Sequence, residues 1–457
     1  MRNEVIEFAK ARTREANPPG LVLVSIARDR EDHLCSGVLS LDSPEPPTLN
    51  TLFEIGSNTK VFVALALARL VADGEVNLND RAQDFLPDVR LPTRGNQHIR
   101  LVDLATHTAA LPRMPDTFDY SNPWDAFRDY SLEDLYSFLQ RVSLNWDIAG
   151  SYVYSNVGYG LLGHILERVT AKSYDTLIAE CVCGPLGMDH TGLDPSGVES
   201  LVQSHQGQRQ VPPVRFGALG PAGGLRSTAN DLIKFISANL STENELGALF
   251  QSVTTIRYSA SNLAHMALGW HVQTRDERIL IWHRGETLGQ TSFVAFDPQR
   301  ETGVLMLSNA AFGGCCCDLA VWQLDENVLP NEHQNSSVIL VAASDLKRFE
   351  GTYAYQPQVA MELTAREDHL RVEVGGLRGG SMYPVATDEF ITRDQRVRIW
   401  FLQENGKVVG FRLRQHGIDQ WCIGAQTPNQ QLQVTRLPSL RCGNRAPELE
   451  CYAPFSL

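Results

Sequence analysis

The sequence lacks any run of roughly 20 consecutive apolar residues, the length that a helix needs to cross the hydrocarbon core of a bilayer. It also lacks a cluster of basic residues. In total, 40 lysines and arginines stand against 53 aspartates and glutamates, which gives a formal net charge of −13. A protein that neutralises a run of phosphates needs such a cluster. We therefore expect neither a membrane nor a nucleic acid as a partner.

Cysteine is present without the regular spacing of a disulfide scaffold, and the count of nine is odd. Cys181, Cys183 and the run Cys315–Cys317 raise the question of a metal site. No histidine or second cysteine pair stands at zinc spacing from them, so small buried side chains are the favoured interpretation. We expect no metal, no cofactor and a reducing compartment.

The amino-terminal residues Met1–Lys10 lack the unbroken apolar core of a secretory signal. They alternate charged and apolar side chains, as a short amphipathic helix does. This pattern predicts a cytoplasmic protein.

A chain of 457 residues exceeds the usual range of one hydrophobic core, which favours two domains. In residues 1–335, strands are predicted at both ends and helices between them, so one sheet is expected to be assembled from both ends of a helical insertion. This predicts an α/β (α+β) core with a helical subdomain. The predicted strands are 21–27, 34–41, 279–282, 291–296 and 303–308, and the predicted helices are 61–72, 101–107, 157–170, 231–240 and 319–328.

Residues 346–457 show a different pattern, after a polar segment, 331–337, that is typical of a linker. Short alternating segments are separated by turn residues such as Glu404, Asn405 and Gly406. They predict an antiparallel sandwich or small barrel without a catalytic constellation of its own.

The first candidate for chemistry is Ser57, which precedes the apolar stretch Val61–Ala72 and lies three residues before Lys60. On a helix the two side chains share a face, so the amine can take the proton of the hydroxyl. Ser344 and Lys347 repeat this spacing at the domain junction. Only Ser57 follows a strand-like run into a long apolar helix, so Ser57 is the predicted nucleophile.

Acylation also needs a group that passes a proton to the leaving group. Tyr154 can supply it, in the tripeptide Tyr154–Ser155–Asn156, because a helix follows and can hold it in place. The same tripeptide begins at Tyr120, where it runs into Pro123 within the segment 116–123, a predicted lid. Tyr154 is the favoured candidate.

A third element is a strand edge whose backbone N–H stabilises an oxyanion beside a basic side chain. His283–Arg284–Gly285 follows the predicted strand 279–282 and fits this requirement. His205–Gln206–Gly207 has similar residues, but a polar loop is predicted there.

These three elements, in this order, resemble the motifs of the penicillin-binding-protein and class C β-lactamase superfamily of serine enzymes. The resemblance covers roughly residues 5 to 330 and is supported by three further stretches, 106–112, 184–191 and 221–228. It implies a beta-lactamase-like mixed sheet with a helical subdomain. Histidine at 283 is more similar to the esterase and D-aminopeptidase branches (peptidase family S12-like) than to true β-lactamases. Residues 349–353 likewise resemble the start of a lipocalin-like domain.

The resemblance also implies roles for the residues of the three motifs. Ser57 would be the nucleophile, Lys60 its activator, Tyr154 the proton shuttle and Asn156 a contact to a substrate amide. The oxyanion hole would use the backbone N–H groups of Ser57 and Glu286, and His283 would orient Tyr154 or the substrate. Gly285 belongs to the same substrate-binding segment.

The implied function is a serine hydrolase that cleaves an amide bond of a small peptide through an acyl-enzyme. An esterase and an acyltransferase or peptide cyclase remain alternatives, because the same acyl-enzyme serves all three. A non-catalytic peptide-binding sensor is a further alternative. Glu286 would repel acidic substrates and favour one that carries an ammonium group. The expected partner is thus a small peptide or ester substrate, and the sequence does not predict the oligomeric state.

Overall fold

The computed structural model describes residues 1–15, 20–28, 30–116, 127–195, 197, 201–206, 209–241, 246–259, 264–275, 278–310, 314–326, 337–356, 359–374, 377–392, 397–415 and 418–424. The chain forms two compact units, Met1–Asn327 and Val328–Leu457. Except for Asp116, the predicted lid 116–123 lies outside the described residues, and so do the second Tyr–Ser–Asn tripeptide at 120–122 and residues 331–336 of the predicted linker.

All helices of the first unit except the first and the last lie in sequence between strands that come from its two ends, as the sequence predicts. The α-helices are α1 (Asn3–Glu15), α2 (Thr59–Ala72), α3 (Leu101–Ala105), α4 (Leu132–Arg141), α5 (Asn156–Thr170), α6 (Tyr174–Ile178), α7 (Gly184–Leu186), α8 (Gly220–Gly223), α9 (Ala229–Leu240), α10 (Gly247–Thr254) and α11 (Gly314–Leu324). Shorter turns are the 3₁₀ segments Gly56–Asn58, Ala82–Phe85 and Gly217–Leu219 and the π-helical segment Ala179–Cys183.

The strands of the first unit form one large sheet and two small ones. They are β1 (Leu21–Ala27), β2 (Arg30–Ser36), β3 (Phe53–Glu54), β4 (Ser204–Gln206), β5 (Arg209–Val211), β6 (Arg226–Ser227), β7 (Tyr258–Ser259), β8 (Ala264–Met266), β9 (His271–Arg275), β10 (Arg278–Glu286), β11 (Thr291–Asp297) and β12 (Thr302–Ser308). The large sheet has the order β2-β1-β12-β11-β10-β9-β8-β7, and its pairs are antiparallel. The small sheets pair β3 with β6 and β4 with β5.

The large sheet joins the two ends of this unit, because β1 pairs with β12 from Leu21 opposite Ser308 to Ala27 opposite Thr302. Helix α9 packs on one face of the sheet and helix α11 packs against β11 and β12. This arrangement confirms the prediction of a mixed α/β core assembled from both ends of a helical insertion.

Two predicted strands differ from the observed ones. The strand predicted at 34–41 begins at Arg30 and ends at Ser36, because β2 is the edge strand of the sheet and tolerates the charged run Arg30–His33. The strand predicted at 279–282 continues to Glu286, so the His–Arg–Gly motif lies within β10 and not after it.

Helix α2 lies at the centre of the first unit. Its side chains from Thr59 to Ala68 are all buried, as expected of a helix that is apolar all round. Phe62 stacks on Phe235 of α9 at a ring-centroid distance of 4.6 Å. The helix is thus fixed on all sides, and the residues of its first turn have little freedom to move.

The second unit is an antiparallel barrel with a filled interior. Its strands are β13 (Gly351–Gln356), β14 (Val359–Ala365), β15 (Leu370–Val374), β16 (Leu377–Ala386), β17 (Glu389–Ile391), β18 (Val397–Glu404), β19 (Lys407–Gln415) and β20 (Ile418–Gly424). Pairing of β13 with β20 closes the barrel. A short helix, α12 (Ala343–Leu346), and a 3₁₀ turn, Lys347–Phe349, precede it, and five aromatic rings share its core: Phe349, Tyr353, Phe390, Phe401 and Phe411.

The antiparallel barrel predicted for this region is confirmed, whereas its kinship with lipocalins stays a prediction. In the part of the chain that the structure describes, no helix is long and apolar enough to span a membrane.

Candidate active site

Ser57 lies in a single 3₁₀ turn, Gly56–Asn58, that leads from β3 into α2. The turn is anchored to β11, because Asn58 Nδ2 donates to Ser292 Oγ at 2.7 Å and Ser292 Oγ donates to the Ile55 carbonyl at 2.7 Å. Gly56 has φ +49°, and a Cβ there would lie 2.6 Å from the backbone nitrogen of Glu286. Glycine is therefore required at this position, and its close approach brings β10 next to Ser57.

Lys60 is in the first turn of α2 and its side chain is completely buried. Nζ lies 2.9 Å from Ser57 Oγ, 2.8 Å from Asn156 Oδ1 and 2.5 Å from the Ala222 carbonyl oxygen. The amide and carbonyl oxygens can only accept, so Nζ donates to both of them. A neutral amine then has one lone pair left, and the hydroxyl of Ser57 can donate to it.

The electrostatics of Lys60 favour this neutral form. Burial lowers the pKa of its amine well below the ordinary value of 10.5, and the positive charge of Arg113 lowers it further. The structure therefore places a buried base against the hydroxyl of Ser57.

Tyr154 is the last but one residue before α5, whose amino terminus is capped by Ser155 Oγ accepting from the Gly158 N–H at 2.8 Å. Its phenol lies beside the Ser57 side chain, and the centroid of its ring lies 4.8 Å from Lys60 Nζ. Burial raises the pKa of the phenol above 10, while Arg113, Ser57 and Arg284 oppose that rise. At neutral pH the phenol thus retains its proton beside the hydroxyl.

His283 is buried on β10, with its ring centroid 6.4 Å from that of Tyr154. Burial lowers the pKa of His283 well below 6.5, so the imidazole is neutral. Nδ1 donates to the Arg284 carbonyl at 2.9 Å, which leaves the lone pair on Nε2. Nε2 has no hydrogen-bond partner among the described residues and can accept one.

The last two predicted residues, Gly285 and Glu286, end strand β10. A Cβ at Gly285 would lie 1.8 Å from the Ile55 carbonyl oxygen, so only glycine lets this strand approach the Ser57 turn. The carboxylate of Glu286 pairs with Arg284 at 2.8 Å, and the guanidinium of Arg284 is buried. Arg284 thus offsets the negative charge that the sequence suggests at this position.

Asn156 is the first residue of α5 and is shared by two contacts. Its Oδ1 accepts from Lys60, and its Nδ2 donates to the sulfur of Met114 at 3.1 Å. A thioether is a weak acceptor, so a substrate carbonyl can compete for this N–H.

Four further residues at the site were not singled out from the sequence. Arg113 is exposed, with its guanidinium carbon 5.0 Å from the ring centroid of Tyr154. Glu54 is buried and accepts from the Val214 N–H and the Thr287 hydroxyl, each at 2.7 Å, which fixes the turn after β10. Burial lowers the pKa of His271 to about 3. The fourth, His107, is buried against Tyr154 and belongs to the stretch 106–112, the one sequence signal for any of them.

The sequence decoys lie in different surroundings. Ser344 and Lys347 are both exposed in the second unit, so that lysine is not desolvated. His205 is fully buried on β4, whereas the sequence predicts a polar loop there. Its burial is possible because its N–H groups bond to carbonyl oxygens, including that of Asn309.

Within the described ranges, no group of three or more His, Cys, Asp or Glu side chains is arranged to hold a metal ion. Cys183 and Cys317 are buried, and burial raises the pKa of the Cys183 thiol to about 12. Nothing is described of the side chains of Cys315 and Cys316.

Comparison with known proteins identifies similar chains. Residues 5–314 match the Beta-lactamase family. A "Beta-lactamase" of Pseudomonas fluorescens is 26% identical over 331 residues, which cover 64% of this chain and 88% of that protein. "Protein flp" of Staphylococcus aureus is 25% identical over 283 residues, which cover 60% of this chain and 56% of that protein. The chain thus spans about half the length of flp.

Two solved structures have a similar fold. A class C beta lactamase from Rhodobacter sphaeroides is 22% identical with a TM-score of 0.62, and the match covers 72% of this chain and 99% of that one. A mutant of a class C beta-lactamase is 21% identical with a TM-score of 0.60, and the match covers 67% of this chain and 92% of that one. At these identities the likeness shows the fold alone.

Proposed function

The chain belongs to the beta-lactamase family and is a serine hydrolase of that family, and we propose that it cleaves an amide bond of a small peptide through an acyl-enzyme on Ser57. The observation that carries the proposal is the hydrogen bonding of Lys60. Its two N–H donors are used by Asn156 and Ala222, and its lone pair is directed to the nucleophile. A buried neutral amine in this position is a general base for a serine hydroxyl.

The proposed acylation moves two protons. Ser57 gives its proton to Lys60 while Oγ attacks the substrate carbonyl, and the oxyanion is held by the backbone N–H groups of Ser57 and Glu286. Collapse of the intermediate breaks the amide bond, and Tyr154 gives its phenolic proton to the leaving nitrogen. Lys60 then passes the serine proton to the phenolate, which restores both groups.

Deacylation repeats these steps with water as the nucleophile. Water gives a proton to the base and attacks the acyl carbonyl, and Ser57 recovers a proton as it leaves. His283 Nε2 accepts a hydrogen bond from Tyr154 or from the substrate, and Asn156 Nδ2 binds a substrate carbonyl. A neutral His283 offers no cation to a substrate carboxylate, which favours peptides over penicillins.

Three alternative functions make different predictions for the acyl-enzyme: which substrates form it, which nucleophile accepts its acyl group, or whether the acyl-enzyme forms at all. An esterase would turn over p-nitrophenyl esters but not p-nitroanilides. An acyltransferase or cyclase would release a new amide when an amine is added to the assay. A peptide-binding sensor would form no covalent adduct at Ser57.

The experiment that tests the proposal is covalent labelling with a fluorophosphonate probe, followed by a panel of D- and L-amino acid p-nitroanilides beside p-nitrophenyl esters. We expect labelling of the unaltered protein and of Ser344→Ala, the matched decoy, but not of Ser57→Ala. Folded protein that remains unlabelled, or Ser57→Ala that is labelled equally, would refute the acyl-enzyme. Turnover of esters alone would reassign the reaction to the esterase alternative.

A further inference from the structure

His107 holds the segment that carries Tyr154 at three points. Its carbonyl accepts from the Val153 N–H at 2.7 Å, and its Nδ1 accepts from the Ser155 N–H at 3.0 Å. Between these two bonds its ring stacks on that of Tyr154, with a centroid distance of 4.3 Å and an interplanar angle of 30°. The residues on both sides of the phenol and the phenol itself are thus fixed by one side chain and its backbone.

The backbone of His107 indicates that this arrangement has a cost. His107 adopts φ +59°, the left-handed region, which is uncommon for any residue other than glycine, although asparagine, aspartate and histidine enter it more often than the rest. Strain of this kind persists only where the surroundings over-determine it, and it is common at functional sites. The left-handed turn presents both the carbonyl and Nδ1 of the same residue to the segment 153–155.

The protonation state of His107 follows from its contacts. Because a backbone N–H donates to Nδ1, that nitrogen must carry a lone pair, and an imidazolium has none. Burial lowers the pKa of His107 well below 6.5, and the positive charge of Arg113 lowers it further. The ring therefore stays neutral and keeps its acceptor.

We infer that His107 is a positioning residue that aims the phenol of Tyr154 at Ser57 through its Nδ1 bond to the Ser155 N–H and its ring stack. This inference rests on the proposed role of Tyr154 as the proton shuttle. Among the described contacts of His107 none is to the Ser57 hydroxyl, so it acts through Tyr154. Displacement of a catalytic group by about 1 Å can cost on the order of 100-fold in rate.

Two substitutions separate the acceptor from the rest of the side chain. In His107→Asn, the amide oxygen takes the place of Nδ1, and asparagine tolerates the left-handed backbone. In His107→Leu, a side chain of similar shape offers no acceptor. Both variants therefore lose the ring stack on Tyr154. They differ in whether they keep a hydrogen bond to the Ser155 N–H and in how much backbone strain they carry. Their melting temperatures measure the difference in strain.

The first readout is independent of activity and measures amide hydrogen exchange in a peptide that covers residues 153–155. We expect exchange there to speed up at least about tenfold in His107→Leu, because loss of the acceptor removes about 1.4 kcal/mol or more of protection, and to remain near the original rate in His107→Asn. Equal exchange in the Leu variant and the unaltered protein would overturn the inference.

The second readout is kcat/KM for a p-nitroanilide, whose leaving nitrogen takes the proton of Tyr154, with and without Tyr154→Phe. We expect His107→Leu to lower this kcat/KM about 10- to 100-fold and His107→Asn to recover most of it. In the Tyr154→Phe background, His107→Leu should have little further effect, because both changes remove the same contribution.

The outcomes distinguish this inference from the proposed function. A Tyr154→Phe variant that hydrolyses the p-nitroanilide with an unchanged kcat/KM would refute the role of Tyr154 as the shuttle. Fully additive effects of the two substitutions, with Tyr154→Phe impaired, would show that His107 does not act through the phenol.

Discussion

Replacement of Lys60 by methionine should change the way the stability of the protein depends on pH. Burial, with Arg113 as a second cause, holds the pKa of Lys60 well below 10.5 in the folded chain. An unfolded lysine has the ordinary pKa. Between these two values the unfolded state binds a proton that the folded state does not, so the free energy of unfolding rises with pH. Lys60→Met removes this dependence.

The magnitude follows from proton linkage. Each pH unit in that interval contributes about 1.4 kcal/mol, so the unaltered protein should gain about 2 kcal/mol relative to Lys60→Met between about pH 8 and about pH 9.5. The substitution also leaves the Asn156 and Ala222 oxygens without their donor. That loss is the same at every pH in the range, so the slope isolates the proton.

Urea unfolding at several pH values, monitored by tryptophan fluorescence, measures the difference between the two proteins. Lys172→Met is a matched control, because Lys172 is exposed and Glu180 raises its pKa, so it holds its proton in both states over this range. Parallel curves for the unaltered protein and Lys60→Met would refute the reasoning. They would mean that the folded lysine is protonated and cannot accept the proton of Ser57.

Two further predictions concern charges at the site. Arg113→Gln removes a cation near Lys60, so it should raise the pKa of Lys60 and move the acid limb of the kcat/KM profile to higher pH. The shift should be less than about one pH unit because Arg113 is exposed, and Arg113→Lys should leave the limb in place. A limb that does not move in Arg113→Gln would contradict the assigned cause. Glu286→Gln should shift substrate preference, measured as a ratio of kcat/KM values, from cationic towards neutral or acidic p-nitroanilides. The shift should be less than about tenfold because Arg284 already offsets the carboxylate. An unchanged ratio would reject a role for Glu286 in selectivity.

The sequence predicts the elements of the first unit well because its apolar pattern is strong. The helix expected at 61–72 is observed as Thr59–Ala72, and the strand expected at 303–308 as Thr302–Ser308. The edge strand β2 was misplaced because its charged residues follow no core pattern, and only its position in the sheet explains them.

The residues of the candidate site likewise fall into those that the sequence predicts and those that only the structure reveals. Two separate motifs predict these residues, one Ser57 with Lys60 and the other Tyr154, and the structure brings the three side chains together, while their catalytic roles stay predictions. The sequence offers no means of finding Arg113 or of assigning His107, because their effects depend on distances across the folded core. The offset of Glu286 by Arg284 also required the geometry of β10.

The pairing of β1 with β12 has a consequence for biosynthesis. Residue 57 leaves the ribosome long before residue 286, and at usual elongation rates the interval is roughly ten seconds to most of a minute. Throughout that time the nascent serine has no second oxyanion donor, and the apolar segment 61–72 is covered only as the helices that pack on it, α5, α8 and α10, are synthesised in turn. The growing polypeptide is therefore chemically silent until β10 is made and open to aggregation until α10 is made, and both conditions end through contacts between remote parts of the chain, which form slowly.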